Sequence, residues 1–180
     1  MKIQIDEKGT RGYYDEITYI KLNYSKVLDN PVRPAKTMTG YVATRAIGFL
    51  VVVIAAVYLY FNTKDIIYAA ISVAMVIAEI AIISSLINGI NKMNSLMRED
   101  GPRVIEVDDE GIRSIQGDDT IELKWDDITC IAINKHSIAV LPKETRMYGI
   151  YADLRYRSEL EQAIRATGHF YMIEDNVTKD

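Results

Sequence analysis

The chain is poor in the residues from which proteins assemble chemistry. It has a single cysteine, Cys130, and two histidines, His136 and His169. One cysteine cannot close an internal disulfide, which is consistent with a reducing compartment. Two separated histidines with scattered carboxylates fall short of a metal-ligand set. There is no glycine-rich phosphate loop and no Ser or Cys nucleophile motif. Positive charge is scarce too: the formal net charge is −4, and nucleic-acid binding draws its largest sequence-independent contribution from neutralising phosphates. These absences predict a protein that is not an enzyme, with no catalytic residue, no cofactor, no metal and no nucleic-acid partner.

What the chain does have is apolar length. Ala46 to Phe61 and Ile66 to Ile90 stand almost back to back, separated only by Asn62-Thr63-Lys64-Asp65. A bilayer core of about 30 Å takes roughly 20 helical residues. The second run meets that outright, and the first does so when Tyr41-Val42-Ala43-Thr44-Arg45 joins it. The pair therefore predicts a transmembrane hairpin with spans 41–61 and 66–90, and a lipid bilayer as its first partner. The alternative is a helical hairpin buried in a soluble core, but little else in the chain is apolar enough to surround two such helices. Tyr58, Tyr60, Phe61 and Tyr68 sit at the span ends, where amphipathic rings favour the headgroup level.

Charge is segregated along the chain. Residues 1–45 carry +3, residues 46–102 carry −1 and residues 103–180 carry −6. Lys26, Arg33, Lys36 and Arg45 precede the first span and Lys92, Arg98 and Arg103 follow the second, whereas the connecting loop offers only Lys64 beside Asp65. The expectation is a multi-pass protein of the cell membrane with both termini cytoplasmic. The apolar stretch begins some forty residues in, after a polar, Tyr-rich segment, which argues against a signal peptide.

Four parts follow. Residues 1–40 form a cytoplasmic N-terminal arm. In it Met1 to Lys8 alternates as a short strand with Ile3 and Ile5 on one side, and Tyr13, Ile17, Ile20 and Tyr24 mark a helical stripe. Asn30-Pro31 and Pro34 then stop that helix. Residues 41–90 are the hairpin and 91–102 a linker, in which Ile90, Met93, Asn94 and Met97 can prolong the second helix until Gly101-Pro102. Residues 103–180 are a cytoplasmic domain. Its short strands, separated by Asp109-Glu110-Gly111, Gly117-Asp118-Asp119, Asp126-Asp127 and Lys135-His136, predict a small antiparallel sheet or partly closed barrel. A helix from about Asp153 to Thr167, with Tyr156, Leu160, Ala163 and Ile164 on its apolar side, covers it. The fold class is thus an α+β membrane protein.

Several residues stand out, each with a plain alternative. The acidic clusters Asp108-Asp109-Glu110, Asp118-Asp119 and Asp126-Asp127 lack the alternating ligand spacing of a calcium loop and read as turns in which Asp bonds its own backbone. Trp125 alternates with Ile121 and Leu123, the pattern of a core anchor rather than a stacking platform. Lys143 and Arg146 suggest a headgroup-binding loop or a solvated turn. Glu79 is the one carboxylate inside a span, where a charge costs about 2.5 to 3.5 kcal/mol on insertion scales and calls for a partner, a wet cavity or a proton. Arg45 lies at similar depth on the first span, so an Arg45–Glu79 pair is proposed, although side chains lean toward their own helix N-terminus and so apart. Ala70, Ala74, Ala78, Ala81, Ser85 and Gly89 form a small-residue packing stripe on another face from Glu79. Two interacting faces on one span predict a homo-oligomer.

The hairpin followed by these strands resembles the YcxB-like family of small bacterial membrane proteins. The residues that carry the likeness are Asp109-Glu110-Gly111-Ile112, Ile121-Glu122-Leu123-Lys124-Trp125-Asp126-Asp127-Ile128, Leu141-Pro142-Lys143 and the last helix around Leu160. The resemblance implies two spans after an N-terminal arm and a C-terminal domain like bacterial pleckstrin-homology (PH) barrels, with Gly111, Ile121, Leu123, Trp125, Ile128 and Pro142 as its core motif. The leading expectation is a non-enzymatic bacterial inner-membrane protein whose PH-like domain binds a cytoplasmic protein partner or a second copy. The alternative is a small oligomeric transport or proton-conducting unit built around Glu79.

Overall fold

A computed structural model describes residues 1–29, 37–144 and 148–177. Arg33, Lys36, Arg146 and the turn Asn30-Pro31 with Pro34 lie outside the described residues. The described elements combine helices and strands in an α+β arrangement: two long apolar helices and two small sheets, without a closed barrel.

The apolar helices are α3 (Met38–Thr63) and α4 (Ile66–Glu99). Both are long and apolar enough to cross a membrane, measuring about 39 Å and 51 Å at 1.5 Å per residue. Their connection is shorter than the expected Asn62–Asp65 loop. Helix α3 continues through Thr63, Lys64 turns the chain in the left-handed conformation at φ 59°, and the Asp65 side chain caps α4 by accepting from the Ile67 amide. Among the buried and half-buried positions are Val42, Ala46, Phe49, Val53, Ala56 and Tyr60 on α3, and Tyr68, Ser72, Met75, Glu79, Ile82, Leu86 and Gly89 on α4. Both sets alternate steps of four and three residues, the spacing of a left-handed helix pair packed along one seam. The opposite faces, with Ile47, Ile54, Val73, Ile77 and Ile80, are exposed.

The 91–102 segment is not a loose linker. Helix α4 runs unbroken to Glu99, so roughly its last nine residues form a stalk beyond the apolar run. Against that stalk packs α1 (Arg11–Leu22), capped by the Thr10 hydroxyl accepting from the Tyr13 amide. Tyr13, Tyr14 and Ile17 meet Met93, with Leu96 and Met97 alongside. A short α2 (Tyr24–Asp29) follows.

The first sheet holds β1 (Lys2–Ile5), β2 (Arg103–Val107), β3 (Gly111–Gln116) and β4 (Asp119–Lys124), all antiparallel in chain order. The N-terminal strand therefore belongs to the C-terminal domain rather than to a separate arm: Ile3 pairs with Ile105 and both are buried. The start of β3 passes so close to β4 that a Cβ at Gly111 would overlap the Leu123 carbonyl oxygen, which is why that position requires glycine.

A 3-10 turn at Trp125–Asp127 carries the chain into a second sheet, ordered β7-β6-β5-β8. Its strands are β5 (Ile128–Ile133), β6 (Ser137–Pro142), β7 (Ile150–Asp153) and β8 (Ile173–Asp175). Strand β8 runs parallel to β5, so the expected small antiparallel sheet or partly closed barrel is corrected to two sheets, one of them mixed. A three-residue strand with one apolar position, Ile173, carries too weak an alternation to be found by pattern. The predicted last helix begins as a 3-10 turn, Leu154–Tyr156, and continues as α5 (Arg157–Ala166).

Ile105, Val107 and Leu123 of the first sheet meet Ile131, Ile133 and Val140 of the second, and Leu160, Ala163 and Ile164 of α5 join them in one core. The outer face of the second sheet is covered as well, by Ile20 of α1 against Cys130, Ala132, Ala139 and Leu141. That double covering explains why β5 and β6 read as nearly continuous apolar runs instead of alternating.

Candidate functional site

Helix α1 lies where stalk and sheets meet, and the main polar cluster of the described residues gathers around it. Two of the key side chains sit at positions reserved for apolar residues. Glu16 falls on the stripe of Tyr13, Ile17 and Ile20, and it is fully buried. Its Oε2 accepts from Ser137 Oγ at 2.5 Å and from the His136 amide at 3.1 Å, while Oε1 has no partner. Burial, reinforced weakly by Asp15, pushes the Glu16 carboxyl up to about 7 against the hydrogen bonds that favour its charge. The contact is close enough that a Cβ at Gly12 would come within 2.8 Å of the His136 ring.

Arg103 shares the inward parity of Ile105 and Val107 on β2. Its Nη1 donates to Asp100 at 2.7 Å, and its Nη2 to the Tyr13 hydroxyl at 2.9 Å and the Tyr151 carbonyl at 3.1 Å. Nε is buried without a partner. Burial opposes the guanidinium charge, but Tyr13 and Asp100 hold its pKa above the ordinary value. The Tyr14 hydroxyl also donates to Asp100. Burial and that carboxylate raise the Tyr14 pKa, and burial raises that of Tyr13. These residues line a half-open cleft of about 190 Å³ between α1, the end of α4 and strands β2, β3 and β7, with Lys21 also in its lining.

Further bonds hold the chain on either side of α1. The Thr10 amide donates to Asp153 Oδ2 at 2.7 Å, Lys8 Nζ reaches the Met97 carbonyl at 3.1 Å, and the Tyr24 hydroxyl donates to the Pro142 carbonyl at 3.0 Å. Sequence reasoning passed over Glu16 and Arg103. The available signal was parity: each is a charged residue in register with an apolar stripe.

The expected site residues are placed as follows. Arg45 and Glu79 are not joined by any ion pair among the described residues. Arg45 is exposed, with its guanidinium 4.9 Å from the Tyr41 ring centre. Extending both helices toward the loop widens their axial offset to about 7 Å at 1.5 Å per residue, and the two side chains lean in opposite directions. Glu79 lies half-buried on the seam with α3. The small-residue stripe divides: Ala70, Ala74, Ala81 and Ser85 are exposed, Ala78 is half-buried, and Gly89 is buried where a Cβ would crowd Met38.

The six motif residues share one structural neighbourhood. Leu123, Trp125 and Ile128 are buried, Ile121 packs against them, and Pro142 pairs with Ile128. Trp125 donates from Nε1 to the Asp108 carbonyl at 2.9 Å and stacks on His169 at 4.1 Å. Asp108 Oδ1 accepts from the Glu110 and Gly111 amides, so that acidic turn bonds its own backbone. Lys143 is exposed. Cys130 is buried and its thiol is pushed up to about 11 by burial, a setting in which a thiol is inert. Among the described residues no group of three His, Cys, Asp or Glu is placed to hold a metal ion.

The chain matches no protein-family model, no curated protein and no solved structure.

Proposed function

We propose that the protein is a non-enzymatic, YcxB-like protein of a bacterial inner membrane, crossing it twice with both termini cytoplasmic. It holds a PH-like domain at the membrane surface for interaction with a protein partner or with a second copy. The observation that carries this reading is the double contact of α1, which packs on the α4 stalk with one face and on the second sheet with another. A domain on a flexible tether has no need of such a brace. The two facing sheets closed by α5 support the PH-like reading, and the absence of a catalytic set in the sequence supports a binding role. Glu79 sits on the seam within one hairpin, which favours an anchor over a conduit lined by Glu79 from several copies.

Self-association is tested by cysteine cross-linking in native membranes, in a Cys130→Ala background. The exposed small residues let a second helix approach closely. Ala74→Cys is therefore expected to give a covalent dimer and Met75→Cys, facing α3, to give none. A monomer from Ala74→Cys, or equal dimer from both, would remove self-association through this face.

A further inference from the structure

The cleft beside α1 has more hydrogen-bond donors than its own acceptors use. Asp100 is taken by Arg103 and by the Tyr14 hydroxyl, and exposed Glu99 accepts from Ser95 Oγ at 2.6 Å. Arg103 Nε is a buried N–H with no acceptor. The Tyr13 hydroxyl oxygen accepts from Arg103, leaving its own proton to be given. Lys21, in the same lining, forms no ion pair among the described residues, and its ammonium lies 5.3 Å from the Tyr151 ring centre. A buried donor without an acceptor is costly, and Arg103 Nε, the remaining Tyr13 proton and the exposed Lys21 ammonium around one space describe an oxyanion receptor.

We propose that this cleft binds a phosphate group, with Lys21, Arg103 and Tyr13 as its donors. The charged lining consists of Lys21 and Arg103 with Glu99 and Asp100, and both carboxylates are already engaged, by Ser95 and by Arg103 with Tyr14. Lys21 keeps exposed surface, but partial desolvation against the domain lowers its pKa, as do the nearby Lys92 and Arg103, with Asp100 and Glu99 opposing, so an anion beside it relieves a repulsion already present. Size agrees as well: about 190 Å³ equals some six waters at about 30 Å³ each, enough for a phosphate and a short organic body. Arg103 is held on three sides by Asp100, Tyr13 and Tyr151, which fixes its guanidinium in the wall of the cleft.

Two sources of that phosphate are compatible with the site. Leu96, in the lining, stands about 9 Å along α4 from the end of the apolar run at Ile90, close to the depth of lipid headgroups. A soluble phosphate ester offers the same chemistry. Only the lipid source rests on the membrane reading above; binding of free phosphate in detergent does not.

The test uses the full chain in an uncharged detergent, following thermal unfolding while inorganic phosphate replaces chloride at constant ionic strength. A parallel arm compares phosphatidylcholine nanodiscs with and without phosphatidylglycerol. A ligand of the folded state raises the midpoint in a saturable way. Lys21→Gln is expected to weaken the apparent affinity at least tenfold while leaving the unliganded midpoint unchanged, since Lys21 is exposed; Lys21→Arg should stay within threefold. Saturation by inorganic phosphate assigns a soluble ligand, and a shift seen only with phosphatidylglycerol assigns a headgroup. No saturable shift with either probe, or a shift that Lys21→Gln leaves intact, overturns the proposal.

Discussion

Replacing Glu16 with Gln is expected to stabilise the protein above pH 7 and to remove a pH dependence that the native chain shows. The native carboxyl is fully buried, with one oxygen bonded to Ser137 and the His136 amide and the other bonded to nothing. Its pKa stands at about 7 in the folded protein, against an ordinary 4.5. The folded state therefore holds its proton over a range where the unfolded state has released it. Stability from this group is greatest below the ordinary value, falls as pH rises from about 4.5 to 7, and stays low above that. The span corresponds to a penalty on the order of 3 kcal/mol at pH 8. Gln keeps an acceptor for Ser137 and the His136 amide and carries no charge. Chemical denaturation of both proteins at pH 5 and pH 8 measures the effect. A native protein equally stable at the two values, or a Gln variant less stable at pH 8, would contradict this account of Glu16.

Trp125→Ala is expected to cost about 3 to 5 kcal/mol, the range for removing a buried Trp or Phe from a core. The indole sits where the chain leaves the first sheet for the second, and it touches both parts of the domain. It packs in the shared core, donates to the Asp108 carbonyl and stacks on His169 beyond α5. Removal opens a cavity and also strands the Asp108 carbonyl. Trp125→Phe keeps most of the volume and loses only the hydrogen bond, so it should cost about 1 to 2 kcal/mol. Thermal unfolding followed by circular dichroism gives both values. Equal losses from the two variants would mean that packing at this position matters less than its hydrogen bond.

The hairpin was the most legible part of the chain, because two long apolar runs override every weaker signal. Ile3 and Ile5 announced a strand and Tyr13, Ile17 and Ile20 a helix, but neither said what it would pack against. Partners about a hundred residues away, such as Ile105 for Ile3, leave no trace in local periodicity. Strand β8 was too short to register, and the division into two sheets depends on the 3-10 turn at Trp125–Asp127, which alternation does not reveal. The Arg45–Glu79 pairing rested on depth alone. Heptad spacing on both helices would have placed Glu79 on the seam with α3, since it stands four residues after Met75 and three before Ile82. Glu16 and Arg103 were hidden by their neighbours: each lies among apolar residues whose pattern was used while the exception to it was not.

In the proposed topology α3 and α4 cross the membrane while the sheet domain, braced by α1, stays on the cytoplasmic side. Cysteine accessibility tests it most directly. In a Cys130→Ala background expressed in bacterial spheroplasts, Asn62→Cys at the exposed helix end should react with a membrane-impermeant maleimide in intact cells. Exposed Glu122 on β4, replaced by Cys, should react only after lysis. Labelling of Glu122→Cys in intact cells, or protection of Asn62→Cys until lysis, would contradict the claim.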